Sequence, residues 1–124
     1  VEQGIKSGCT LCVVLIRKDV IYVANCGDTR AVISRDGIAE RLSFDHKPND
    51  IAERRRIGLQ GGFVSDKGRV MGYLAVSRAI GDHEVSPYVS QTPTIHTSTL
   101  SKTDKFIVLA CDGLYDVLTD QEVV

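Results

Sequence analysis

CTLCVVLIRKDVIYVANCGDTRAVISRDGIAERL, residues 9–42, decides the fold. Its first run, CTLCVVLI, is continuously apolar and rich in β-branched residues, as in a strand covered on both faces. Arg17-Lys18-Asp19 breaks that run before VIYVANC begins a second. Gly27-Asp28 interrupts again ahead of TRAVIS, and Asp36-Gly37 supplies a hairpin turn before IAERL. Runs of this length, divided by turn residues, predict an antiparallel meander of about four strands.

Downstream, SFDHKPND (residues 43–50) reads as a loop, punctuated by Pro48 and Asn49-Asp50. Asp50 and Glu53 have the spacing of a capping box, so IAERRRIGLQ predicts a short amphipathic helix, ended by Gly61-Gly62. The glycine-spaced stretch 63–73 suits short strands or an ordered surface flap. YLAVSRAI reads as a further strand, HEVSPYVSQTP as loop, and TIHTSTL and KFIVLAC as the last two strands. Thr119 and Glu122 form a second capping box, announcing a helix two residues before the sequence stops. A helix that short is not stable alone, so the sequence is expected to end inside an element. Strands dominate, and the fold class is α+β, built on antiparallel sheet.

The 124 residues, 43% of them hydrophobic, amount to one domain or less. A net charge of -1 gives no electrostatic reason to expect nucleic acid or an anionic membrane as partner. The one basic run, Arg54-Arg55-Arg56, reads as a solvated helix face. No apolar stretch reaches the ~20 residues that span a bilayer. Val1-Glu2-Gln3-Gly4 has neither a leader pattern nor an initiator methionine, so the chain is expected to derive from something longer. Cys9 and Cys12 form a C-x-x-C, but inside a strand, on opposite faces, and with no second close pair. Together with Cys26 and Cys111 they read as buried reduced thiols of an intracellular protein, cytoplasmic or nuclear.

Three aspartates sit where chemistry tends to sit. Asp112 follows the strand KFIVLAC directly, with Gly113 allowing a sharp turn; Asp116 lies four residues on; Asp28 follows Gly27 between two strands. Carboxylates on glycine turns at strand ends suit Mg²⁺, Mn²⁺ or Ca²⁺. Two such charges 4 Å apart cost about 4 kcal/mol at an effective dielectric of 20, a cost that a divalent cation reverses. From spacing alone, the better reading is that Asp28 and Asp112 satisfy turn amides. His46, His83 and His96 read as surface histidines. Ser77 lacks the G-x-S-x-G elbow, and no Walker, dinucleotide or EF-hand loop occurs.

Six segments occur in one order: SGCT, VANCGDTRAV, LSFDHKPND, ERRRI followed by GGFV, RVMGYLAVSRAIGD and FIVLACDGLYDVLTDQEVV. Together they resemble the metal-dependent serine/threonine protein phosphatase family of the type 2C class, over essentially the whole chain. The resemblance implies two packed antiparallel β-sheets with flanking helices, here incomplete at both ends. Residues 1–124 would be the central part of one catalytic domain, with the flap region within about 45–87. It implies hydrolysis of phosphoserine and phosphothreonine in protein substrates with Mn²⁺ or Mg²⁺ as cofactor. By motif, Asp112 matches a ligand of the family's two-metal centre. Asp28 and Asp116 match residues that help it hold a third, weaker ion. Thr10 falls where the family has a polar residue just behind the ligands, and Asp82 is a motif residue without an assigned role.

Departures from the family pattern set the functional expectation. The early Asp-Gly-His-Gly segment, the upstream phosphate-gripping arginine and the late Asp-Asn segment are absent, so no catalytic residue is identified. Tyr115, Met71 and Cys9 replace the usual tryptophan, asparagine and small hydroxyl residue. The chain alone is therefore expected to be inactive, and its apolar strands are expected to make it self-associate. The alternative is a non-catalytic, phosphatase-like module that binds proteins.

Overall fold

The computed structural model describes residues 6–124, so the reading of Val1-Glu2-Gln3-Gly4 lies outside the described residues. Among the described residues eight strands form: β1 Gly8–Cys9, β2 Leu11–Arg17, β3 Val20–Cys26, β4 Arg30–Arg35, β5 Ile38–Arg41, β6 Ile80–Gly81, β7 Thr94–Thr99 and β8 Asp104–Ala110. The helices are α1 Ile51–Leu59, α2 Asp112–Tyr115 and α3 Asp120–Val123, with a 3-10 turn at His83–Val85.

Two hairpins match the sequence. β2 pairs with β3 from Leu11↔Cys26 to Arg17↔Val20. β4 and β5 turn at Asp36 (φ 54°) and Gly37 (φ 79°), the two positive-φ positions that a tight hairpin demands. The hairpins do not continue into one meander. β2-β3-β7 is one antiparallel sheet and β5-β4-β8 another, so the chain changes sheets between Cys26 and Arg30. Gly27 makes the change possible. Its φ of 116° favours glycine, and a Cβ there would run into the Thr10 side chain and the Arg78 carbonyl.

The core lies between the two sheets. Ile21 and Val23 of β3 alternate inward while Tyr22 faces out, and they meet Ala31 and Ile33 of β4, with Leu42 beside them. Burying each such side chain stabilises by about 1.5–3 kcal/mol. β4 is covered on both faces, since Val32 and Ser34 are as buried as Ala31 and Ile33. β2 departs from expectation. Only Cys12 and Val14 pack inward, while Leu11, Val13 and Leu15 are 46%, 46% and 58% exposed, because no described layer covers that face of the edge strand.

A second, smaller core gathers Ile57 of α1 with Val64, Val70, Ala79, Val85 and Val89. Here YLAVSRAI does not form the expected strand. Isolated bridges Val70↔Leu74 and Arg78↔Ser90 hold it, and only Ile80–Gly81 pairs, with β1. Helix α1 buries Glu53 and Ile57 rather than its terminal apolar residues, leaving Ile51 and Leu59 exposed. Asp50 occupies the N-cap without a side-chain capping bond, so the first capping box does not form. The second does: the Glu122 amide donates to Thr119 Oγ1 and the Thr119 amide to Glu122 Oε2. Among the described residues no helix is long and apolar enough to cross a membrane.

Candidate functional site

The crossing from Asn25 to Arg30 is held at almost every residue. Gly27 N–H donates to His46 Nδ1 at 3.1 Å, and the His46 amide donates back to the Gly27 carbonyl at 2.8 Å. Asn25 Nδ2 donates to the carbonyls of Gly27 (3.1 Å) and Phe44 (2.8 Å), while its Oδ1 accepts from Thr29 Oγ1 at 2.8 Å. Arg30 grips Asp45 through two nitrogens (3.1 and 2.6 Å) and Asp120 through a third (2.6 Å). Its guanidinium also lies 4.4 Å from the centre of the Tyr115 ring, a cation–π contact. Thr10 lies against Gly27, directly behind the Asp28 turn.

Within this frame Asp28 stands apart. β8 runs antiparallel to β4 with Ala110 opposite Arg30, so Asp112, two residues past Ala110, and Asp28, two before Arg30, leave the sheet at the same edge. Half-burial pushes the Asp28 carboxyl above its ordinary range, and the neighbouring Asp112 charge pushes it further. Its own backbone N–H and Lys47 pull the other way without cancelling the rise. The two aspartates thus form an edge whose negative charge Lys47 offsets only in part.

Asp116 lies at the end of α2, where its amide donates to the Asp112 carbonyl at 2.8 Å. It lines a cleft with Arg30, Arg41, Tyr115 and Asp120, whose arginines are already paired to carboxylates. Among the described residues no group of three His, Cys, Asp or Glu comes together in a way that could hold a metal. The donor set therefore fits one hydrated divalent cation at the Asp28–Asp112 pair, since Mg²⁺ commonly keeps several waters. It does not form a closed three-carboxylate cage or a two-ion centre. Asp82 sits elsewhere, at φ 50° before the 3-10 turn, with its carboxylate against Gly8 and its amide donating to the Ser7 carbonyl at 3.0 Å.

Two residues escaped the sequence reading. His46 is fully buried rather than on the surface, whereas His83 and His96 are exposed. Glu53, 2% exposed, meets Arg78 at 2.6 Å and Arg56 at 3.2 Å. Burial alone would raise its carboxyl, but the arginine bonds prevail and hold it down to about 2. Spacing gave no signal for either, since a glutamate three residues after Asp50 looks the same whether it caps the helix or turns inward. Of the four free thiols only Cys26 is buried; Cys12 is half-buried, and Cys9 and Cys111 are exposed, correcting the expectation of burial for all.

The family model described as Protein phosphatase 2C matches residues 2–124. A Schizosaccharomyces pombe relative, Protein phosphatase 2C homolog 2, is 47% identical over 95% of the chain and 34% of its own length. A solved phosphatase from a pathogenic strain of Toxoplasma gondii superimposes with a TM-score of 0.70 at 38% identity, over 78% of this chain and 32% of that one. A Caenorhabditis elegans sex determining protein gives 0.82 at 27% identity, over 92% of this chain and 29% of that one. The chain spans between 20% and 36% of the length of curated relatives it matches.

Proposed function

The chain belongs to the protein phosphatase 2C family, and from that premise we propose that it is the central part of a catalytic domain that hydrolyses phosphoserine and phosphothreonine in proteins, with residues 45–87 including the flap. The observation that carries this reading is the Asp28–Asp112 edge, two carboxylates presented by the ends of β4 and β8 whose repulsion Lys47 offsets only in part. A protein-binding surface has no physical need for such a pair, whereas a cation site does. Asp28 and Asp112 would hold Mn²⁺ or Mg²⁺, with Asp116 the nearest further carboxylate along the chain and Thr10 packed behind. Bound there, the ion supplies positive charge against phosphoryl oxygens and acidifies water. Arg30, Asn25 and Thr29 tie the two ends of the crossing through their hydrogen bonds.

In the longer protein, Asp112→Asn is expected to lower Mn²⁺-dependent turnover of a phosphothreonine peptide by about two orders of magnitude or more, because a neutral amide is a poor ligand. Asp116→Asn should cost less and recover at higher metal. Turnover in Asp112→Asn equal to the unaltered protein refutes the assignment. The 124-residue chain alone should show no metal-dependent hydrolysis of p-nitrophenyl phosphate, since a two-ion centre needs ligands it does not supply.

The second reading, a phosphatase-like module that binds proteins without catalysis, is favoured by one observation, that no three potential ligands gather among the described residues. Metal-dependent turnover by the longer protein decides against it. The open face of β2, with Leu11, Val13 and Leu15, supports self-association of the chain through a second copy. Sedimentation at micromolar concentration should then give a mass above the monomer, and a clean monomer refutes it. The reduced thiols support an intracellular location, cytoplasmic or nuclear; secretion of the protein by its own cells would exclude it.

A further inference from the structure

We infer that His46 is a positioning residue for Asp28: by bonding both backbone polar groups of Gly27, it fixes the direction in which Asp28 leaves the crossing, toward Asp112. This rests on the reading of Asp28 and Asp112 as a cation edge.

The geometry is specific. Gly27 N–H reaches His46 Nδ1 at 3.1 Å while the His46 amide reaches the Gly27 carbonyl at 2.8 Å, so one residue closes a ring on the residue before Asp28. The Nδ1 acceptor must be unprotonated, which places the ring proton on Nε2. Burial, reinforced by the nearby Arg78 charge, favours that neutral ring, against the opposing charges of Glu53 and Asp45. Nε2 meets no protein partner among the described residues, so the ring's polar contact with protein is the one at Nδ1. Gly27 is also the crossing's one left-handed residue, at φ 116°. Without an acceptor at Nδ1 its N–H would be left without this bond, and the peptide could rotate. From Asn25 to Arg30, Asp28 alone has no hydrogen bond or ion pair to another described residue, so its direction is inherited from the backbone that His46 holds.

Asparagine places Oδ1 close to where histidine places Nδ1, whereas leucine keeps the volume and loses the acceptor. Mn²⁺ affinity of the 124-residue chain, read from the electron paramagnetic resonance of free Mn²⁺, separates the possibilities. Asp112→Asn serves as the control, and amide spectra confirm folding. His46→Leu is expected to weaken Mn²⁺ binding at least fivefold, and His46→Asn to stay within about twofold of the unaltered chain even if it melts earlier. A merely structural histidine would give the opposite order, with asparagine, which leaves a cavity, the worse variant. Unchanged affinity in a folded His46→Leu, or a loss in His46→Asn as large as in His46→Leu, overturns the inference. If His46→Leu does not fold, retention of affinity in His46→Asn supports the inference and its loss overturns it. Should the unaltered chain bind no Mn²⁺, or bind it equally with Asp112→Asn, the cation edge itself is refuted, and the inference falls with it.

Discussion

Two carboxylate sites in this chain have opposite electrostatics. Glu53 is almost wholly buried, yet Arg78 and Arg56 surround it and hold its carboxyl down to about 2. Asp28 is only half-buried, yet its carboxyl is pushed up, because burial and the facing Asp112 act together and no arginine answers them. The first site is complete within the fold and ties α1 to the segment around Arg78. At the second, the Lys47 charge does not cancel the rise. A folded protein bears such a deficit most readily where a cation completes it, and this contrast, rather than the number of acidic residues, is what supports the proposed cation edge.

The strongest challenge to the contrast is to break the compensated site. Arg78→Met leaves Glu53 buried with one arginine, and urea unfolding should show a loss of about 3–5 kcal/mol. A loss below about 1 kcal/mol would mean that Glu53 reaches solvent or another partner. Acid unfolding gives a smaller effect with a definite sign. The folded value of Glu53, about 2, lies below its ordinary 4.5. Its stabilisation is therefore complete above pH 4.5 and is lost as pH falls from there through 2, at most about 3 kcal/mol in all. Glu53→Gln should flatten that limb. Asp28, whose folded value lies above 3.8, contributes in the opposite sense: the folded state gains relative stability as pH falls through the raised value. Asp28→Asn should therefore deepen the drop in stability from neutral to acid, by less than about 1 kcal/mol for a half-exposed group. A shallower drop would contradict the assigned direction.

The strands of the two larger sheets and the Asp36-Gly37 turn were legible in the sequence because each depends on local chemistry, on β-branched runs and on positive-φ residues, whereas YLAVSRAI reads as a strand but does not form the expected one. The change of sheet at Gly27 was not legible. A hairpin and a crossing both call for a glycine, and only the pairing partners, β7 for β3 and β8 for β4, distinguish them. Thr119-Glu122 and Asp50-Glu53 show the same limit, since identical spacing gives a capping box at α3 and a buried ion pair at α1. The burial of His46 arises from packing by segments distant in sequence. Asp28 and Asp112 could be nominated as a pair, but their approach depends on the register of β4 against β8. That register also leaves Asp116 at the cleft of Arg30 and Tyr115.

The central claim is that the Asp28–Asp112 edge is destabilised by its own charge and completed by a cation. Urea unfolding of the unaltered chain and of Asp28→Asn, each without divalent metal and then with Mg²⁺, tests it directly. Without metal, Asp28→Asn should be the more stable, by less than about 1 kcal/mol, because a repulsion is removed. With Mg²⁺ at ten times its dissociation constant, the unaltered chain should gain about 1.4 kcal/mol and Asp28→Asn much less, reversing their order. If the order is the same with and without Mg²⁺, the edge is not a cation site.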